Sequence, residues 1–339
     1  MGSPYSGVEM WIKHQQQVRG ERNIALGKAE GVADCTAEEA CAWYFEYCSN
    51  ERNRKGFEHG DQVRLEVRDA ARINEKPVAT IKSMPSPFTN REFKFKNILK
   101  RNEDGNLSIG SWPIDIEVDY GGKFKAVRGI GKGLLTASNI GSVSGVDQCR
   151  IIFRQYIDFG GLIPVSILNR KVPKQLSCIK FLADSFQHGE EIDRAVLASL
   201  ANTIKNEAQI YTEQDEEAIK RGLAYFDKYN GSQKHKELKS NDPYVTLKFV
   251  HIEGESLGVG VARAIVDASV EDCAAYEYLK DSREKLAVLK KKRVMEQKVK
   301  KISNHSQLYL SVRSLGVPGL SNREWRMRST WKHDEVDGR

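Results

Sequence analysis

The sequence predicts an α+β fold in which a curved antiparallel sheet is wrapped around a long C-terminal helix, with a cavity between them. Three observations carry this. One helix with an acidic first turn opens the region, short period-2 segments divided by turn residues run on to about residue 158, and an amphipathic helix follows.

The opening helix is expected from Ala37 to about Tyr47, with Thr36 as its N-cap and Glu38 and Glu39 where the helix dipole favours acids. In Arg91 to Ile98, the side chains of Arg91, Phe93 and Phe95 share one face, while Glu92, Lys94 and Lys96 share the other. In Trp112 to Asp119 the apolar set Trp112, Ile114, Ile116 and Val118 alternates with Asp115, Glu117 and Asp119, which makes one face of the sheet dry. Asn102 to Asn106 and Tyr120-Gly121-Gly122 supply turns, and further strands are expected near Lys123 to Arg128, Gly133 to Asn139 and Cys149 to Asp158. After Gly160-Gly161 and Pro164, Pro173 opens a helix that carries Leu176, Ile179, Leu182, Ala183 and Phe186 on one stripe. That stripe must be buried, and the concave face of the sheet is the apolar surface that can receive it.

The chain has 339 residues, 40% of them hydrophobic and 29% charged, which fits two globular domains. It has no apolar run of the roughly 18 to 20 residues that would span a bilayer, and no basic-then-apolar leader. Six cysteines (Cys35, Cys41, Cys48, Cys149, Cys178, Cys273) form no CxxC pair, so free thiols in a reducing, cytoplasmic setting are expected. The formal charge is +7, and residues 284 to 301 hold eight Lys or Arg against two Glu. This run lacks the interleaved aromatics of a nucleic-acid groove, so no nucleic acid is expected. Lys285, Lys290, Lys291, Lys292 and Arg293 read either as a solvated face or as a peripheral contact with an anionic membrane surface.

An internal repeat organises the chain. Ala33 to Trp43 reappears in kind as Val266 to Tyr276, with Thr36 and Ser269 as N-caps, and Thr89-Asn90-Arg91-Glu92-Phe93 reappears as Ser321-Asn322-Arg323-Glu324-Trp325. Asp34 to Arg91 spans 57 residues and Asp267 to Arg323 spans 56, so order and spacing agree. One complete domain is therefore expected at 16–190, a helical linker at 191–239, and an incomplete second unit at 240–339. The linker shows Val196, Leu200 and Ile204 at helical spacing, a helix start at Thr212 with Asp215, and a polar break at Asn230-Gly231-Ser232.

Tyr156 to Pro164, followed by Ile167-Leu168-Asn169 and a helix, resembles the C-terminal signature of START domains, the lipid-transfer family with a helix-grip fold. Arg91-Glu92-Phe93 resembles that family's Arg-acidic-aromatic strand, and Val127-Arg128-Gly129 its strand after the mobile loop. The resemblance covers about 165 residues in the family's order. It implies a nine-stranded sheet around the helix, a lipid or sterol in the tunnel, and no catalytic residues. The loop before Val127 is shorter than the family's gating loop, and the second unit stops after its Arg-Glu-aromatic strand.

Sharp chemical motifs are missing. Gly129-Ile130-Gly131-Lys132-Gly133 lacks a phosphate-loop pattern and is expected to be a hairpin turn, and the seven histidines (His14, His59, His188, His235, His251, His305, His333) have no metal-ligand spacing. No Ser or Cys sits in a nucleophile-elbow context, so neither a cofactor nor a catalytic site is expected. The candidate ligand-contacting residues are Arg91, Phe93, Phe95, Trp112, Ile114, Ile116, Asp158, Leu176, Ile179, Leu182 and Phe186. For Arg91 an internal pairing competes with a ligand contact, and for Asp158 a turn-forming role does. The expected function is binding, and possible transfer, of a lipid or sterol-like molecule. The alternatives are a helix-grip enzyme of the cyclase or hydratase type and a degenerate protein-interaction scaffold. A large apolar cavity favours the first, a small polar one with close carboxylate or His partners the second, and a filled interior the third.

Overall fold

The computed structural model describes residues 7–14, 24–67, 72–207, 210–230, 235–252, 254 and 258–332. The expected first residue of the leading domain, 16, and Gly231, Ser232 and His333 lie outside the described residues. The chain divides into two units, Met1–His188 and Gly189–Arg339.

In the first unit, β1 (Val8–His14) and β2 (Ile24–Ala33) lead into α1 (Ala37–Phe45) and α2 (Asn50–Glu58). There follow β3 (Asp61–Glu66), β4 (Glu75–Lys82), β5 (Asn90–Arg101), β6 (Leu107–Pro113), β7 (Ala126–Arg128), β8 (Ile130–Val143) and β9 (Val146–Asp158), then α3 (Val165–Leu176) and α4 (Cys178–Ser185). The strands form one nine-stranded sheet in the order β1-β2-β9-β8-β6-β5-β4-β3, with β7 added in parallel beside β5 and every other pair antiparallel. The unit is thus the expected α+β fold, a curved sheet gripping helices.

α1 starts where Thr36 caps it: Glu39 N–H donates to Thr36 Oγ1 at 3.2 Å, and the Glu39 carboxylate accepts from Thr36 N–H at 2.9 Å. α2 carries no apolar stripe, so periodicity does not reveal it; its start is set by Ser49, which accepts from Arg52 N–H.

Three local expectations are corrected. β6 ends at Pro113, which cannot donate to the ladder, so the expected strand Trp112 to Asp119 does not form; the buried set on β6 is Leu107, Ile109 and Ser111 instead. The segment Gly129 to Gly133 is not a hairpin turn: its residues from Ile130 onward open β8. The closing helix begins at Val165 rather than Pro173, and Pro173 lies inside α3. The helix breaks four residues on, at Ser177, whose hydroxyl donates to the Lys174 carbonyl at 2.6 Å; α4 starts anew from there.

Leu176, Ile179 and Leu182 are fully buried, Leu176 and Ile179 against β2. Gly27 and Gly31 make this close approach possible: a Cβ on Gly27 would lie 3.0 Å from Leu176 Cδ1, and one on Gly31 would lie 3.3 Å from Ile179 Cγ2.

The second unit contains α5 (Gly189–Asn206), α6 (Glu213–Asn230), β10 (Lys236–Leu238), β11 (Val245–His251), β12 (Gly258–Ala264), α7 (Val270–Tyr278), α8 (Arg283–Lys291), β13 (Val294–Lys301), β14 (Ser306–Arg313) and β15 (Arg323–Thr330). It forms two three-stranded sheets, β10-β11-β12 and β13-β14-β15. The helices expected as a linker pack inside this unit. Ala201 and Ile204 of α5 cluster with Ala275, Tyr278 and Trp331, and the Asp193 carboxylate accepts the first-turn N–H groups of α8 from Arg283 (3.0 Å) and Glu284 (2.9 Å). Lys290, Lys291, Lys292 and Arg293 are exposed at the C-terminal end of α8, where the dipole favours cations. Arg323, which opens β15, is exposed and donates to the Ser321 carbonyl at 3.2 Å. No helix among the described residues is long and apolar enough to cross a membrane.

Asp215 ties α6 to β15. Its carboxylate accepts from Thr212 at the start of α6, and from Arg328 (2.7 Å) and Thr330 (3.1 Å) of β15. Burial alone would raise this carboxyl, but the hydrogen bonds from Thr212 and Thr330 and the Arg328 charge lower it to about 2. A depressed carboxyl stabilises the fold above its unfolded pKa of about 3.9 and loses that contribution as pH falls through the folded value. Hydrogen-exchange protection of α6 and β15 is therefore expected to drop between about pH 4 and pH 2, and Asp215→Asn should lower it at pH 6 while removing most of that acid-induced drop.

Candidate functional site

A cavity of about 180 Å³ lies on the concave face of the first unit, bounded by strands β3, β4, β5, β6, β8 and β9 and by α1, α2, α3 and α4. One part of its lining is aromatic. Tyr44 meets Phe153 with ring centroids 5.7 Å apart, Phe93 meets Phe159 edge-on at 5.7 Å, and Tyr47 meets Phe95 edge-on at 5.3 Å. Glycines on and before β8 give these rings their space. A Cβ on Gly129 would lie 2.5 Å from the Phe93 ring and one on Gly133 3.1 Å from Phe153, while Gly131 faces Phe93 at 3.7 Å.

Beside the rings the lining is polar and mostly cationic. Asp61 of β3 is buried, with Lys82 Nζ at 2.5 Å and Arg64 Nε at 3.5 Å. Arg52 of α2 is buried, stacks over Trp43, Tyr44 and Tyr47, and donates to the Tyr44 carbonyl. Arg64 lies 3.7 Å from the Tyr47 ring centroid and donates to the Arg52 carbonyl. Lys171 of α3 reaches in and donates to the Ser83 carbonyl at 2.6 Å.

These surroundings set the charges. Burial disfavours the Lys82 ammonium, but the Asp61 carboxylate outweighs it and leaves the group raised. Lys171 is lowered by burial and then by its neighbours Lys174 and Lys82. His59 is lowered by burial and by Lys174, and its ring stacks on Phe181 with centroids 4.8 Å apart.

Of the candidate residues read from sequence, Phe93 and Phe95 line the cavity, and the others stand elsewhere. Trp112 is 59% exposed because it alternates with the buried β6 residues, and Ile114 and Ile116 are half-buried beyond the end of that strand. Leu176, Ile179 and Leu182 are spent on the core, and Phe186 packs against it just past α4. Asp158 is a turn former: its Oδ1 accepts from Gly160 N–H at 2.7 Å. Gly160 has φ +69°, and a Cβ there would lie 2.4 Å from the Arg128 carbonyl oxygen, so this turn requires glycine.

Arg91 points inward as strand parity predicts and is 4% exposed. Its guanidinium donates to the carbonyls of Phe159 and Thr89, to Gly160 at 3.2 Å and to Asn90 at 3.4 Å, so it fastens β5 to the turn after β9.

Sequence reasoning misses the residues that give the cavity its polarity: Arg52, Arg64, Thr80, Lys82 and Lys171. The usable signal was the Ser49 N-cap, which places Arg52 in the first turn of a helix.

Arg91→Leu is expected to leave the Phe159 and Gly160 carbonyls without their donor and to cost about 3 kcal/mol in denaturant unfolding of the full chain, with ligand selectivity unchanged. A shift in selectivity at unaltered stability would make Arg91 a ligand contact instead.

No family model and no curated protein matches the chain. Among solved structures it is similar to the human StarD13 (DLC2) lipid transfer and protein localization domain, with 14% identity over 56% of this chain and 88% of that one and a TM-score of 0.43. It is also similar to a fragment of a STAR-related lipid transfer protein from Xanthomonas axonopodis (16% identity, 55% and 96% covered, TM-score 0.41) and to human STARD10 (16%, 60% and 74%, 0.39). The likeness is thus to StAR-related lipid-transfer structures over little more than half of the chain.

Proposed function

We propose that the first unit is a non-catalytic container for one slim apolar or amphipathic molecule of lipid character. The observation that carries this is the aromatic wall of the cavity, held open by Gly131 and Gly133 where larger side chains would fill it. Protein interiors pack closely, so small residues set against rings leave room for a guest. The volume of about 180 Å³ suits a single chain or ring, since a cavity of about 150 Å³ admits benzene. The acid–base groups argue against the cyclase or hydratase reading. The Asp61 carboxylate is already engaged by Lys82 and Arg64, and the His59 ring is packed on Phe181, so neither is set out toward a substrate.

Native mass spectrometry of the purified full chain, followed by solvent extraction, tests this. Wild type is expected to carry an apolar adduct. Gly131→Val is expected to fill the space before Phe93 and lose the adduct, with an equal or higher Tm because valine suits a strand better than glycine. Retention of the same adduct by a folded Gly131→Val places the ligand elsewhere and ends the reading.

We also infer that the second unit is an incomplete copy of the first. Thr36 (φ −70°, ψ 160°) and Ser269 (φ −70°, ψ 162°) cap α1 and α7 in the same geometry, and Ser49 and Ser282, each 13 residues on, cap α2 and α8. β3, β4 and β5 come next after α2, as β13, β14 and β15 do after α8. In the first unit β6, β8 and β9 cover α1, whereas α7 packs against α5. On this reading a 189–339 fragment unfolds cooperatively and a 240–339 fragment, stripped of α5 and α6, does not; equal cooperativity in the two overturns it.

A further inference from the structure

The aromatic lining accounts for an apolar guest, but the polar lining beside it holds more positive charge than the protein balances. Among the described residues that line the cavity, Asp61 is the single carboxylate, and Arg52, Arg64, Lys82 and Lys171 all surround its end of the cavity. Lys82 and Arg64 already share Asp61, while the contacts of Arg52 and Lys171 described above are to backbone carbonyls, which carry no formal charge. Burying like charges together is unfavourable unless an anion joins them.

Thr80 is an independent sign of what belongs there. In the sheet register it stands opposite Arg64 on one side and Phe93 on the other, so all three share the face that bounds the cavity. It is fully buried, and its hydroxyl has no hydrogen-bond partner within the protein. A buried hydroxyl in a native fold is nearly always paired.

We propose that this end of the cavity is an anion subsite, and that the guest is a single-chain amphiphile whose carboxylate or phosphate head is held by Lys171, Lys82 and the Thr80 hydroxyl. The tail runs along the aromatic wall. This rests on the container reading and adds the class of ligand: the head must be anionic, and about 180 Å³ suits one chain. Charge-assisted hydrogen bonds from two ammonium groups are the strongest contacts the site can offer, and the hydroxyl supplies a third donor.

Isothermal titration of the full chain with decanoate, decyl phosphate, 1-decanol and inorganic phosphate tests it. At least one of the two tailed anions is expected to bind about tenfold or more tightly than 1-decanol, which has the tail without the charge. Lys171→Met should remove most of that advantage and leave 1-decanol unaffected. Thr80→Val should also weaken the anion, at an unchanged or raised Tm, which separates head-group contact from structural support. Equal affinity for 1-decanol and both anions overturns the anion subsite and leaves the container reading standing. Inorganic phosphate binding as tightly as decyl phosphate assigns the site to a free anion and overturns the amphiphile. Failure of all three tailed probes removes both readings.

Discussion

Leu176 and Ile179 reach the backbone of β2 because Gly27 and Gly31 put no side chain in their way, and much of the first unit is arranged around that seating. Each fully buried aliphatic side chain contributes about 1.5 to 3 kcal/mol by area, so Leu176 and Ile179 bind α3 and α4 to β2, the second strand of the sheet. The apolar stripe is used up there. What remains of the helices to face the hollow is their mixed side, with Lys171, Gln175, Cys178 and Phe181. The burial that seats α4 also pushes the Cys178 thiol up to about 11, which keeps it protonated and unreactive.

The far end of the sheet is closed by different means. Hydrogen bonds from Arg91 to the Phe159 and Gly160 carbonyls join β5 to the chain after β9, and the Gly160 turn brings that backbone against Arg128. Between these two fastenings the sheet curves over a space that β8 borders with Gly131 and Gly133. The room beside the rings is therefore a product of deletion, with glycines facing phenylalanines.

The sheet and its closing helices were legible because their signals are local. Parity in Arg91 to Ile98 fixed which side of β5 is dry, and the Thr36 cap fixed the start of α1. The errors have physical causes of their own. The alternation of Trp112, Ile114 and Ile116 looks like a strand, yet Pro113 breaks the ladder inside it. The stripe on α3 and α4 was read correctly as buried, but periodicity says that a face is covered and never by what, so its contact with β2 rather than with a ligand was invisible. The cationic wall was hidden for a related reason. Arg52, Arg64, Lys82 and Lys171 come from four elements, one of which, α2, has no apolar pattern to announce it, and only the folded chain brings them together.

The same Arg-Glu-aromatic run opens β5 and β15, yet Arg91 is buried and Arg323 is at the surface. The burial of Arg91 does not reside in the motif; it is supplied by carbonyls nearly seventy residues downstream, at Phe159 and Gly160. Among the described residues no strand follows β15 to provide a comparable turn. Losing the guanidinium at Arg91 would therefore strand buried carbonyls, whereas the same loss at Arg323 would free only a carbonyl that water can reach.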